Sequence, residues 1–377
     1  MTATTDDRRD SHACDDRFPG AQVVRLARKA VERTRLDLTG LRVLTEASVG
    51  YRRITPVIAA LAGADAVFAV GRDSARASRR QAEEQTAYLA ALARVDDRVT
   101  LLSTRLQAPL DTIDVVTDLP GVRPVDESIL RTVAESAAVT LMRGTERWSP
   151  ADVDVATCRR RGIAVAGVDE EAVGLYRYLP LEILAGLLDL GAEVAGSTLV
   201  VAGGGAGYAY VVQALGRLGA RVLVAAPETA GRIELFGGER IGETLGDESV
   251  IGRLAEADAL VLCPGPRGER WVGPGAVVDA ARLAAAAPHL AVAGSGAEAD
   301  VRALASAGLR CRPAGDTPDL FDLLPQPLVA LHTAGLKVGE VMARARRRGS
   351  SPLAAEQLAA AEAHAEQLPK DLGGRRR

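Results

Sequence analysis

Apolar residues in this chain come in short continuous runs separated by stretches of helical spacing, which is the pattern of a buried parallel sheet connected by helices. After an amphipathic helix from about Ala21 to Arg33, the runs Arg42–Thr45, Ala66–Val70, Val99–Leu102, Ile113–Thr117, Val139–Met142 and Ile163–Ala166 are predicted as strands. Helices are predicted near Pro56–Ala62, Ala77–Ala93, Asp126–Ser136 and Pro150–Arg160, the last opened by Ser149 as cap and Pro150 in the first turn. Tyr178–Leu190 reads as a long apolar helix. The pattern then resumes with strands at Leu199–Ala202, Val222–Ala225, Ala259–Cys263, Leu290–Ala293, Leu309–Arg312 and Leu328–Leu331, with helix from Thr333 to Arg347 and again over Pro352–Leu368.

This alternation predicts an α/β protein of two Rossmann-like or flavodoxin-like parallel-sheet domains joined by a long helix. Residues 1–19, polar and charged, read as a disordered tail, 20–177 as an outer substrate domain, 178–334 as a dinucleotide-binding-like domain, and 335–377 as helices returning toward the outer domain. A length of 377 residues with 47% hydrophobic content supports that count.

Between Leu199–Ala202 and the helical spacing of Val211–Leu218 stands a glycine-packed turn, Gly203-Gly204-Gly205-Ala206-Gly207. A glycine turn between a strand and a helix start exposes backbone N–H groups and the positive helix end, which suits a pyrophosphate. Gly203 and Gly205 match the first two glycines of G-x-G-x-x-G, whereas the third position falls on Tyr208. The acidic residue expected after the second strand is also displaced: that strand ends Val224-Ala-Ala-Pro227, with Glu228 slightly late. Thr229 and Arg232 are placed to meet a 2′-phosphate instead, so NAD and NADP both remain open as cofactors.

Charge and cysteine usage narrow the picture further. A formal net charge of −3 gives nucleic-acid binding no electrostatic support, and Arg344–Arg348 reads as a solvated helix face. No apolar run reaches membrane-spanning length. Cys14, Cys158, Cys263 and Cys311 are scattered without metal-ligand or disulfide spacing, so no metal site is expected and a reducing, cytoplasmic setting fits.

The chain resembles the D-isomer-specific 2-hydroxyacid dehydrogenases over roughly residues 110 to 345. Three features carry the resemblance: the order of an outer sheet, a bridging helix, a glycine-turn domain and returning helices; the segment Asp152–Val165, similar to one in which a helix ends at an Arg-Gly-Ile phrase before the last outer strand; and Leu331-His-Thr-Ala-Gly335, similar to the phrase carrying that family's catalytic histidine. Leu41–Asp73 is also similar to the adenosylhomocysteine hydrolase and alanine dehydrogenase relatives of that fold.

The resemblance implies an NAD(P)-dependent oxidoreductase for a small carbonyl compound or 2-hydroxy acid, with His332 at a strand end as the proton donor and a homodimer as the assembly. The family's arginine has no counterpart after Leu290–Gly296, and its carboxylate has only Asp316, Asp319 and Asp322 as nearby candidates. Arg123 and Arg143, near strand ends of the outer sheet, are the replacements expected to hold an anionic substrate in the interdomain cleft. Lys337, in a chain nearly devoid of lysine, is a further candidate for anion binding or catalysis. Glu46 and Asp73 are candidates by position alone, and Trp148 and Tyr176 are candidate lining residues. The missing arginine, Tyr208 and the absent ribose acid favour the alternative: a Rossmann-like protein without redox activity that binds a nucleotide or metabolite, or one that catalyses a lyase or transferase step.

Overall fold

The structure is a computed structural model that describes residues 19–231, 233–265, 268–294, 298–311 and 320–368. Arg232, Asp316, Asp319 and nearly all of the expected N-terminal tail lie outside the described residues. Gly174–Leu323 forms one compact unit, and the described residues on either side of it in the chain form the other. The first unit contains β1 (Arg42–Glu46), β2 (Ala66–Val70), β3 (Val99–Leu102), β4 (Val115–Thr117), β5 (Ala138–Thr140) and β6 (Ala164–Val168). The second contains β7 (Thr198–Ala202), β8 (Arg221–Ala225), β9 (Gly238–Gly242), β10 (Ala259–Leu262), β11 (Ala291–Gly294) and β12 (Arg310–Cys311), and β13 (Ala365–Gln367) returns to the first.

In the first unit the strand order is β13-β6-β5-β4-β1-β2-β3, parallel except for β13, which runs antiparallel to β6. In the second it is β12-β11-β10-β7-β8-β9, parallel throughout. Each sheet starts in its middle, winds outward on one side and then restarts on the other. The order therefore reverses at β1/β4 and at β7/β10, and such reversals open crevices at the carboxyl ends of strands. The two α/β parallel sheets expected from the apolar runs are both present.

Alternating side chains explain why helices cover both faces of the second sheet. Val200, Ala202, Leu223 and Leu260 enter one apolar core, while Leu199, Val201, Val222 and Val261 enter the other. The helix Leu179–Asp189 sends Leu179, Ile183 and Leu187 into this second core, so the expected connecting helix packs within the second unit.

Several boundaries differ from the sequence reading for identifiable reasons. Only Glu127–Leu130 is helical within 126–136. The helix expected from Pro150 starts at Val155, because Asp154 accepts from the Thr157 amide as its cap while Val153 bridges to Val125. Leu328–Leu331 is not a strand: it lies inside the helix Pro325–Arg347, which is buried on nearly every side and belongs to the first unit. Gly339 and Gly335 let that helix approach the sheet, since a Cβ at Gly339 would lie 2.6 Å from Val115 and one at Gly335 would lie 2.5 Å from the Met142 sulfur. The terminal helix ends at Ala363, where His364 adopts a left-handed conformation and the chain turns into β13. β9 carries no apolar run, so the hydrophobic pattern does not predict it.

Candidate functional site

In the second unit, the turn after β7 stands where the strand order reverses. The Gly203 amide donates to the Ala225 carbonyl (3.1 Å) and the Gly205 amide to the Pro264 carbonyl (3.0 Å), so the turn is tied to the last residue of β8 and to the chain beyond β10. Gly204 (φ +118°) and Gly207 (φ +85°) adopt backbone conformations that favour glycine, and a Cβ on Gly205 would lie 2.6 Å from the Pro264 oxygen. The amides of Ala206, Gly207 and Tyr208 donate to no acceptor among the described residues, and they sit at the positive end of the helix Tyr208–Arg217. The donor set thus fits a phosphate group.

Tyr208, at the third fingerprint position, points into the core rather than over the turn. Its ring is buried and its hydroxyl donates to the Ala230 carbonyl at 2.6 Å, pinning the segment after β8. Burial raises the phenol above its ordinary pKa, offset in part by the nearby Arg240. Arg240 holds the same segment from β9, donating to the carbonyls of Ala226 and, at 2.8 Å, Gly231. It forms no ion pair among the described residues. Glu228 and Thr229 are exposed in a 3₁₀ turn, Glu228–Ala230. Tyr176 packs beside the turn, 3.1 Å from where a Cβ on Gly207 would stand.

In the first unit, the reversal between β1 and β4 brings together side chains far apart in sequence. Glu46 ends β1, paired with Val70 of β2, and is 4% exposed. One carboxylate oxygen accepts from the Gly121 amide at 3.1 Å. Gly121 is confined there: a Cβ would lie 2.3 Å from the Val70 oxygen and 2.8 Å from the Glu46 Cβ. Burial pushes the Glu46 carboxyl up to about 7, against the Gly121 hydrogen bond and the charges of Arg52, Arg123 and Arg72.

His332 occupies the middle of the helix Pro325–Arg347, not a strand end, and it is buried. Its Nδ1 lies 2.5 Å from the Thr55 hydroxyl. Burial, with a smaller contribution from Arg52, holds the imidazole down at about 3, so the ring is neutral near pH 7. Arg52, in the turn after β1, thus lies within electrostatic reach of both Glu46 and His332.

The other nominated cations have protein partners. Arg143 pairs with Asp118 (3.0 Å) and Asp152 (2.7 Å), and Arg123 pairs with the same two carboxylates at 3.2 Å each. Asp118 is fully buried and also accepts from the Met142 amide at 2.7 Å, so this ring of charges fixes the chain beyond β4 and β5. Lys337 donates to Glu340 and to the Arg35 carbonyl at 2.9 Å, joining its helix to the end of the helix Gly20–Thr34. Asp73 accepts from the Arg79 amide at a helix start, and the Trp148 indole donates to the Val153 carbonyl. Asp322 lies in the short helix Leu320–Leu323.

Sequence reading missed Arg52, Thr55, Gly121, Asp118 and Arg240. Gly121, within the Leu119-Pro-Gly-Val-Arg-Pro124 run, carried a turn signal, but nothing local connects it to Glu46, 75 positions away.

No family model matches the sequence, and a search of curated proteins finds no match. Among solved structures, a dipicolinate synthase chain from Bacillus subtilis superposes with a TM-score of 0.56 at 15% identity, covering 83% of this chain and 99% of that one. The corresponding dipicolinate synthase chain from Bacillus halodurans gives 0.54 at 15%, covering 79% and 96%. D-lactate dehydrogenase from Escherichia coli gives 0.48 at 12%, covering 82% and 98%. The chain therefore has the fold of these dipicolinate synthase chains, and D-isomer-specific 2-hydroxyacid dehydrogenases are among the solved structures that it matches.

Proposed function

We propose that the chain is an NAD(P)-dependent oxidoreductase acting on a small anionic carbonyl compound or 2-hydroxy acid. The observation that supports this most is the turn Gly203–Gly207 at the reversal of the second sheet, whose amides at Ala206, Gly207 and Tyr208 have no acceptor among the described residues. Those amides and the helix end would hold the pyrophosphate. A bound nicotinamide supplies or accepts the hydride.

The phosphorylated cofactor is the better fit. β8 ends in Ala225 and is followed by Ala226 and Pro227, without a carboxylate for the ribose hydroxyls, and Arg240 brings a guanidinium to the same segment through neutral carbonyl partners. Its charge is left for a 2′-phosphate. His332, neutral and fixed through Thr55, serves as a hydrogen-bonding group rather than an imidazolium acid.

One observation favours the second reading, nucleotide binding without redox chemistry: the Gly205 amide is already donated to Pro264, and Pro227 would lie 2.9 Å from a Cβ on Gly204, so the turn is closely covered. Titration with NADPH, NADH and ADP separates the two. Binding of NADPH in preference to ADP supports the oxidoreductase, and binding of ADP alone supports the second reading.

A further inference from the structure

Among the described residues of the second unit, five large hydrophobic side chains are exposed: Leu181, Leu188, Tyr210, Leu218 and Leu235. Leu181 and Leu188 lie two turns apart on the helix Leu179–Asp189, on the side opposite the buried Leu179, Ile183 and Leu187. Tyr210 stands on the outward side of the helix Tyr208–Arg217, opposite the buried Val211, Val212 and Leu215, with Arg217 two turns further along that side and Leu218 as the cap. Leu235 belongs to the 3₁₀ turn Ile233–Phe236. The two helices pack together, the turn packs on the second of them, and their inward side chains share one core, so all five residues belong to elements covering the same face of the sheet. Leu188 and Leu235 are each 69% exposed. The helices Glu248–Arg253, Ala280–Ala286 and Val301–Ser306, which cover the opposite face, expose no large hydrophobic side chain. Single apolar residues scattered over a surface need no explanation, whereas a set gathered on one face marks an interaction site.

We propose that this face is the docking surface for a second copy of the chain, paired about a two-fold axis with Leu188, Tyr210 and Leu235 in the apolar centre. The charges on the same elements favour that partner over an acidic or a basic one. Arg217, Glu234 and Glu193, just beyond the helix Leu179–Asp189, are exposed and form no ion pair among the described residues. A two-fold interface presents one surface twice, so it must complement itself, and a face that offers an apolar centre and unpaired charges of both signs meets that condition. Pairing sets the Arg217 guanidinium of each copy against the carboxylates of the other. This surface does not depend on dinucleotide binding by the second unit.

Sedimentation velocity of the full chain over a series of concentrations tests the proposal, with the melting temperature of each variant as the check on folding. The wild type should sediment as a dimer. Leu188→Glu, which places a charge in the apolar centre of both copies without touching the core, should weaken the dimer about a hundredfold or more and leave the monomer folded. Arg217→Glu should weaken it about tenfold, and adding Glu193→Arg and Glu234→Arg to that variant, which exchanges the signs on both copies at once, should restore it. Tyr88→Glu, an equally exposed site on the helix Arg79–Ala93 of the first unit, should leave the dimer unchanged. A wild type that is monomeric throughout would assign the face to a different partner and overturn the proposal. A dimer of unchanged strength in Leu188→Glu, failure of the exchanged signs to restore pairing, or loss of the dimer in Tyr88→Glu would overturn it as well.

Discussion

The Tyr208 hydroxyl donates to the Ala230 carbonyl across 2.6 Å, joining the first residue of the helix after β7 to the segment after β8. The residue that breaks the glycine fingerprint thus acts as a bolt between the two chain segments that bracket the glycine turn. Its aromatic ring faces the apolar core shared by Val211, Val224 and Cys263. Tyr208→Phe keeps the packing and leaves one carbonyl without its donor, so it should lower stability by about 1 kcal/mol. Tyr208→Ala removes the ring as well and should cost about 3 kcal/mol or more. Urea unfolding measures both, and an unchanged stability in Tyr208→Phe would show that packing, not the bolt, dominates.

Glu46 links stability to pH in a definite direction. Its carboxyl is raised from an ordinary value of 4.5 to about 7, so between those values the folded chain binds more protons than the unfolded one. Its contribution is complete below pH 4.5 and is lost as the pH rises through 7. Glu46→Gln should therefore flatten the decline of stability across this window, a difference of roughly 3 kcal/mol between its ends. Melting curves of the wild type and variant from pH 4 to 8, running parallel, would show that Glu46 is not held protonated.

His332 acts in the opposite sense. Its ring falls from an ordinary 6.5 to about 3, so between those values the unfolded chain binds the extra proton and the fold weakens as the pH falls. His332→Leu should lose this acid sensitivity, with Thr55 retaining the Arg52 carbonyl as an alternative acceptor. Acid unfolding midpoints follow the effect, and an identical midpoint in the variant would show that the imidazole charges without penalty.

The ring of Asp118, Asp152, Arg123 and Arg143 is expected to be structural. Asp118 is fully buried, whereas Asp152 is about a quarter exposed. Removing the buried carboxylate leaves two guanidinium groups to share Asp152 alone, so Asp118→Asn should cost about 3 kcal/mol and Asp152→Asn distinctly less. Denaturant midpoints rank the two variants, and the reverse order would remove Asp118 from the centre of the network.

Local signals made most of the fold legible. β2 and β3 coincide with their apolar runs because buried parallel strands need continuous hydrophobic sequence. The same rule misled at Leu328–Leu331, where a helix buried nearly all round presents an equally continuous run and Pro325 and Pro327 belong to its first turn. β9 and β13 form by pairing with β8 and β6, without apolar runs of their own. The Leu331–Gly335 phrase has a packing basis, since Gly335 meets Met142 and His332 meets Thr55. Position alone could nominate Glu46, but its character comes from Gly121 and from burial, which only the folded chain supplies.

Fluorescence titration of the full chain with NADPH and NADH tests whether the turn Gly203–Gly207 holds a phosphorylated nicotinamide dinucleotide. NADPH is expected to bind more tightly than NADH, and Arg240→Gln to erase the difference. Failure of both cofactors to bind at millimolar concentration, or a preference for NADPH that survives in Arg240→Gln, would contradict it.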